Sequence, residues 1–350
     1  MNNKARYAPE SLRTMAKELF MEAGLDAEKA SAIAHYLVLA DEMGHSTHGL
    51  ALTAWYLQML ATGDMAKAGH IKTLSDRAAA VAWNGGRLPG AWLTSKAVAL
   101  ASERAIQYGT CTIAIAECHH IGCLAAYLPD ATDQGLMVSV ASSSPSGSQV
   151  APFGGTKGVF TPNPIGYGIP GPNDPILIDI SASITTNNMA KRMRLEGRKY
   201  DHDWVMEADG TPSNDPEVLE RGGTLLPTGG LDHGQKGYGM AIWAEALTQG
   251  LAGFGRPQQP KGLCSAVTVQ VWDPEAFGGR EAFVRQIGWL ADACHNSPPR
   301  DGVEKVRLPG EAAMRRVREA RENGVPLHDG IMGSLKHHAQ QFGVPLPDPF

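Results

Sequence analysis

Four histidines in two close sets, His45 with His48 and His119 with His120, are the side chains here best suited to moving a proton. Imidazole titrates nearest to pH 7, and it is also the commonest metal ligand. Thr47 can hold one ring nitrogen of His48 and fix its tautomer, and a distant Asp179 can complete a hydroxyl–imidazole–carboxylate relay. Asp179 stands inside Ile-Leu-Ile-Asp-Ile-Ser at 176–181, where a carboxylate is costly to bury unless it is paired. A second chemistry overlaps the first. Cys118, His119, His120 and Cys123 are zinc ligands by type, although the second ligand pair of a zinc ribbon is missing. Each residue also has a plain structural reading, as a satisfied loop or strand-end histidine, or as an aspartate capping a turn.

Other segments suit an anion. Ser142-Ser143-Ser144-Pro145-Ser146-Gly147 and Pro152-Phe153-Gly154-Gly155 can aim consecutive backbone N–H groups at one point. Gly229-Gly230 is followed by Lys236-Gly237-Tyr238-Gly239 just before an apolar helix. A phosphate or carboxylate there meets both an ammonium and a helix dipole. Leu308-Pro309-Gly310-Glu311 opens a late helix. Surface loops, a solvated lysine and a simple turn are the alternatives. No GxGxxG stands between a strand and a helix and there is no Walker A motif, so a Rossmann domain is not expected.

These residues need elements to place them. Apolar spacing predicts helices at 8–24, from Asp26 to about Gly44, and at about 50–61, which makes His45–Gly49 a helix–helix junction. Strands are expected at Ala78–Trp83, Thr112–Ala116, Leu136–Ala141, Leu177–Ile180 and Val267–Val271. Helices are expected at 91–108, 123–134, 237–252 and 279–296, with two more in 310–341. Segment 142–175 has no helical period, and 191–235 is polar and turn-rich. His120 then ends a strand, beside Ile121-Gly122.

Composition bounds the class. The 350 residues suggest about two domains. A 43% apolar content with net charge -5 excludes a strongly basic nucleic-acid binder and a disordered chain. No run approaches the ~20 apolar residues of a membrane span. The first residues have no apolar leader, so a cytoplasmic protein is expected. Five cysteines, an odd number, suit reduced thiols. Glycine, at 40 residues, exceeds the usual ~7%.

Taken in order, these pieces resemble the malate/L-lactate dehydrogenase family, which also holds ureidoglycolate and sulfolactate dehydrogenases, diketogulonate reductases and piperideine-2-carboxylate reductases. The segments that carry the resemblance are GHSTHGL at 44–50, HHIG at 119–122, SSSPS at 142–146, APFGG at 151–155, TPNPIGYGIP at 161–170, ILIDIS at 176–181, GG…KGYG at 229–239 and LPGE at 308–311. They are collinear and span almost the whole chain.

The resemblance implies an α/β, α+β-like fold that is not Rossmann. Residues 71–305 would form an NAD(P)-binding domain around a largely antiparallel sheet. Residues 1–70 and 306–350 would pack together as a helical domain. The resemblance also implies an NAD(P)-dependent dehydrogenase or reductase, moving hydride between NAD or NADP and a 2-oxo acid or cyclic imine. Homodimers with no membrane or nucleic-acid partner are implied too. His120, His48, Thr47 and Asp179 fall at the catalytic positions. His120, Gly122, Ser144, Ile178, Asp179, Ile180, Lys236, Pro309, Gly310 and Glu311 fall along the cofactor, and no metal is implied.

This sequence has Met43 and Leu52 where many members carry arginines, Thr47 where Ser is usual, and extra residues at 231–235. An arginine fork is the usual carboxylate clamp. Its loss favours a bulkier or less charged substrate than malate or lactate. A family member that has lost catalysis and only binds ligand, and a zinc-dependent hydrolase, are the competing readings.

Overall fold

The computed structural model describes residues 5–350. The first helices, α1 (Pro9–Glu22) and α2 (Ala27–Met43), pack against each other. Pro9 suits the first turn of α1, whose N–H groups have no helical partner. Asp26 caps α2 by accepting the Lys29 N–H at 2.9 Å, and Gly44 ends α2 in the left-handed conformation at φ 91°. A short 3₁₀ turn at Leu50–Leu52 leads into α3 (Thr53–Thr62).

A seven-stranded sheet follows. Its strands are β1 (Lys72–Arg77), β2 (Ala80–Asn84), β3 (Thr110–Cys118), β4 (Met137–Ser143), β5 (Ile165–Ile169), β6 (Ile176–Ile180) and β7 (Ser265–Trp272). The spatial order is β1-β2-β3-β7-β4-β5-β6. Only β2 and β3 run parallel, and every other neighbouring pair is antiparallel. The expected largely antiparallel α/β fold is therefore present. Helix α4 (Gly90–Tyr108) covers one face, where Ile113 and Ile115 join the main core. The alternate residues Ala114 and Ala116 pack against Ala252 on the other face. Further on come α5 (Asn187–Leu195), α6 (Gln235–Glu245), α7 (Arg280–His295), α8 (Glu311–Asn323) and α9 (Ile331–Phe342). Helix α8 packs on α2 and α9 on α1, and Tyr7 pairs with Val325.

Several expected elements differ. The helix expected over 123–134 is a 3₁₀ turn at Leu124–Tyr127 followed by one α-turn at Pro129–Thr132. Pro129 has no N–H to continue a helix from Ala125. Strand β5 was not anticipated because Gly166 and Gly168 break the apolar pattern. Both are small for a packing reason. A Cβ on Gly168 would lie 2.7–3.0 Å from Val138, Thr132 and Leu128, so the 124–132 segment can lie flat on the sheet. The exposed edge strand β1 was also not anticipated, since every residue faces solvent. Helix α5 lies partly in the stretch read as turns. The helix expected over 237–252 changes to a π-turn at Ala246–Gly250. No helix among the described residues is long and apolar enough to cross a membrane. All five cysteines are free thiols.

Antiparallel order has one consequence for chemistry. Strands β3, β4 and β6 end where β5 and β7 begin. Cys118 pairs with Ser265, Ser143 with Ala266, and Ile165 with both Ala141 and Ile180. The segments that follow β3, β4 and β6 therefore leave from the same end of the sheet.

Candidate active site

The segment after β3 carries His119 and His120 across that end to β6. On arrival, Ala125 donates its N–H to Asp179 Oδ2 at 2.9 Å, and the Cys123 thiol lies 3.7 Å from the same oxygen. Asp179 is thus a paired carboxylate, which answers the cost of placing it in an apolar strand. The loop after α2 brings in His48. Its Nδ1 lies 2.9 Å from Thr47 Oγ1, as the sequence suggested. The His48 and His120 rings are 6.3 Å apart between centroids and inclined by 21°. The four expected catalytic residues, Thr47, His48, His120 and Asp179, are therefore gathered into one chamber.

Hydrogen bonds assign the tautomers. His120 Nδ1 lies 3.3 Å from the Gly122 N–H, a group that can only donate, so Nδ1 accepts. The Tyr56 hydroxyl, 2.6 Å away, donates to the same nitrogen. Neutral His120 then carries its proton on Nε2. For His48 the order is reversed. Asn188 Nδ2 approaches both the Thr47 carbonyl and His48 Nε2 at 3.4 Å, so it presents an amide donor to each. His48 Nε2 accepts, and Nδ1–H faces Thr47.

Burial sets the charge state. It pulls the His120 pKa down to about 3, helped by His48 and His119, and pulls His48 down to about 4. The Asp179 carboxylate partly opposes the fall at His48. An imidazolium poised near pH 6–7 is the simplest expectation from histidine alone, and the free protein instead holds both rings neutral. His119 makes no such hydrogen bonds. It is fully buried with neither ring nitrogen hydrogen-bonded, against Tyr56 at a centroid distance of 5.8 Å.

The zinc set drawn from the sequence is not assembled. Cys118 and His119 are both 0% exposed, and neither joins His120 and Cys123 in a group of ligand atoms close enough to share an ion. Among the described residues the only group of three metal-type ligands is His45, Cys123 and Asp179.

Four contributors escaped sequence reasoning, the Asn188 amide on His48 being one. Tyr56 on α3 has the spacing of an ordinary core aromatic, and nothing in the sequence marks it as a partner of His120. Arg192 on α5 binds the Ser46 hydroxyl at 3.0 Å and the Ser46 carbonyl at 2.9 Å, which steadies the His48 loop. Asp41 holds that loop from below. Its buried carboxyl accepts the Leu50 N–H at 2.7 Å, and burial raises its pKa to about 7. A Cβ on Gly49 would lie 2.4 Å from that carboxyl, which is the reason for glycine there. Met43 and Leu52 are 1% and 6% exposed and pack in the main core. The cation bound to the His48 loop is Arg192.

Replacing Tyr56 by Phe keeps the ring and removes one neutral hydrogen bond, worth about 0.5–1.5 kcal/mol. We expect turnover to fall about 3–10-fold with little change in melting temperature, read by steady-state kinetics beside a thermal melt. Unchanged turnover would take Tyr56 out of the site.

The remaining expected residues lie along β6 and beyond it. The turn at 309–311 rests on β6, with the Leu177 N–H donating to the Pro309 carbonyl at 3.1 Å. A Cβ on Gly310 would lie 2.7 Å from Leu177 N, and Gly310 has φ 95°. Glu311 pairs with His295 and lines a cavity of about 500 Å³, together with Ile176, Lys305, Arg315 and Arg318. Ile178 and Ile180 flank Asp179 on the strand, and Ile180 is exposed. Lys236 is exposed in the first turn of α6. That turn is anchored beside the end of β6 by Gly237 N–H to Thr228 O and by Thr228 Oγ1 to Ser181 O. Ser144 spends its hydroxyl on the Cys264 carbonyl at 2.6 Å.

Comparison with known proteins adds four findings. A family model described as malate/L-lactate dehydrogenase matches residues 7–336. Hydroxycarboxylate dehydrogenase B of Escherichia coli (strain K12) is 27% identical, covering 99% of this chain and 96% of its own length. L-lactate dehydrogenase of Cupriavidus necator is 28% identical, covering 96% and 98%. Among solved structures, malate dehydrogenase from Entamoeba histolytica shares the fold with a TM-score of 0.93, at 20% identity, over 99% of this chain and 100% of that one.

Proposed function

Since the chain belongs to the malate/L-lactate dehydrogenase family, and is thus a 2-hydroxy acid dehydrogenase or reductase using a nicotinamide cofactor, we propose that His120 moves the proton that accompanies hydride transfer. The observation that carries this is the pair of donors on His120 Nδ1, the Tyr56 hydroxyl and the Gly122 N–H. They leave Nε2–H facing substrate, and a proton taken up from solvent at Nδ1 makes the imidazolium that gives the Nε2 proton, so that the ring ends neutral. Hydride added to a carbonyl carbon builds negative charge on oxygen, and a placed N–H relieves it. His48, with Nε2 under Asn188 and Nδ1 on Thr47, orients substrate. Asp179 holds the segment that carries His120. Arg192, through Ser46, holds the loop that carries His48.

The residues present fit a dinucleotide. The cavity beside Glu311 is of the size that takes a small ligand and is lined by both signs of charge. Ile176 stands at the cavity and Asp179 in the chamber, three residues apart on β6, a span of roughly 10 Å. We place the nucleotide end over Pro309, Gly310 and Glu311, the middle along Ile178 and Ile180, and the reactive end beside Gly122 and His120. When bound, the nicotinamide supplies or takes the hydride. Ser144 and Lys236 approach the same path from β4 and α6.

The homodimer implied by the resemblance belongs to the same reading, as does a cytoplasmic location. Exposed Phe277, with Val284, Trp289 and Leu290 on α7, gives a second subunit apolar surface to cover. The test of function is a screen of NADH and NADPH oxidation, without added metal, against 2-oxo acids and cyclic imino acids. Met43 and Leu52 are buried in the core, and the arginine bound to the His48 loop, Arg192, is spent on Ser46, so we expect malate and lactate to trail a bulkier or less charged substrate. Absence of turnover with every member of the panel would overturn the reading.

Two further results are expected. The first concerns pH. The folded pKa values of about 3 and about 4 lie below the unperturbed 6.5, so neutral imidazole is already complete above pH 5. For alcohol oxidation the His120 proton shifts from Nε2 to Nδ1 while the Tyr56 hydroxyl turns to the His120 carbonyl, so that Nε2 can take the alcohol proton; the shift carries no net charge, and kcat/KM should be level in histidine ionisation from pH 8 to 5. Reduction consumes a proton, and its kcat/KM should climb about tenfold per unit as pH falls over that range, with no plateau at 6–7. An oxidation profile that breaks at pH 6–7 would contradict the neutral-ring assignment. The second concerns Lys236. Because it is exposed, its pairing with a cofactor phosphate is worth ~1 kcal/mol or less. The Lys236→Ala variant should weaken cofactor binding by about fivefold at most, measured by nicotinamide fluorescence titration. Unchanged affinity would remove Lys236 from the cofactor path.

A further inference from the structure

His45 and Cys123 have no task in the hydride reaction, yet they meet in the same chamber. A ring nitrogen of His45, Cys123 Sγ and a carboxylate oxygen of Asp179 all lie within 4.8 Å of one another. We propose that these three side chains bind a zinc-like divalent cation, and that its binding shuts off hydride transfer. The donor set decides the class of ion. Nitrogen, sulfur and oxygen together suit zinc, whereas magnesium and calcium call for oxygen alone. Spacing agrees. Bonds of about 2.0–2.3 Å in a tetrahedron put ligand atoms roughly 3.3–3.8 Å apart. Cys123 Sγ and Asp179 Oδ2 are already 3.7 Å apart, so only His45 must close in. His45 is half-buried on the 44–49 loop, and the fourth position falls to water.

Charge agrees as well. On binding, the Cys123 S–H bond breaks, its proton passes to solvent, and a sulfur–zinc bond forms. One thiolate, one carboxylate and one divalent cation sum to zero, which lowers the cost of placing the ion in a half-buried chamber. The ion takes Asp179 away from its support of the His48 ring and places a cation beside both histidines. Inhibition therefore rests on the hydride reading above, while binding does not.

The test uses the whole protein, stripped with a chelator and titrated with zinc and with cadmium. We expect one ion per chain, and with cadmium an ultraviolet sulfur-to-cadmium charge-transfer band. Cys123→Ser should abolish the band and weaken binding by at least the about 10–100-fold that loss of an outer-shell partner alone causes. His45→Gln should weaken binding while the band remains. Zinc should stop turnover, and chelator should restore it. A missing band, or equal affinity in both variants, would overturn the site. Binding with turnover untouched would overturn the inhibitory role. If no nicotinamide turnover exists in any assay while the band is present, the hydride reading fails and the metal site stands.

Discussion

Replacing His120 by alanine is expected to lower turnover about 10²–10⁴-fold in both directions, the usual contribution of a placed acid or base. Cofactor affinity should survive, because the proton matters only at the chemical step. His48→Ala should behave differently. With its Nε2 already under Asn188, His48 is suited to orienting substrate, so KM should rise with a smaller loss in kcat. Steady-state kinetics in both directions, beside a fluorescence titration of cofactor, separates the two. Near-normal turnover in both variants would sink the histidine mechanism, and Asp179 or a water held by it would be the next proton carrier to test.

Gly90→Ala is expected to damage both stability and turnover. A Cβ at residue 90 would lie 2.3 Å from the His119 carbonyl oxygen and 2.5 Å from the His120 carbonyl oxygen. Both are backbone atoms and cannot swing aside. Overpacking of this kind costs about 1–3 kcal/mol, and for a chain this long each kcal/mol lowers the melting temperature by a few degrees. The second effect is on chemistry. Relief of the clash pushes His120 away from Tyr56 and Gly122, and a shift of about 1 Å at a reacting group can cost 10²-fold. The control is Gly239→Ala in α6, where the added carbon meets nothing within 4 Å and should leave both readings unchanged or slightly improved. A Gly90→Ala protein with wild-type melting and turnover would show that the start of α4 does not fix the histidine segment.

The proximity of the candidate residues was more legible than the boundaries of several elements. His48 beside Thr47, His120 beside Gly122, and Asp179 inside an apolar strand are local patterns, and the structure brings them together. Strand β5 was hidden because its glycines answer to Leu128 and Thr132 above them rather than to strand propensity. Tyr56 was hidden because its role depends on a nitrogen 64 residues away. Arg192 was hidden for the same reason, since its partner Ser46 lies 146 positions earlier. Met43 and Leu52 stand where a clamp of arginines is expected. Both side chains pack in the core, and the cation on the His48 loop comes instead from a helix the turn-rich sequence did not announce.

The pairing of Tyr7 with Val325, and of the Phe350 N–H with the Arg6 carbonyl at 2.9 Å, bears on how the chain reaches this state. The surfaces of α1 and α2 that α8 and α9 cover are made first on the ribosome and closed last. Loop-closure entropy over more than three hundred residues must be overcome before those contacts reward it. A nascent chain halted before α8 therefore carries the faces of α1 and α2 without the two C-terminal helices that pack on them. During those tens of seconds of synthesis it is a client for whatever binds apolar helices in the cell.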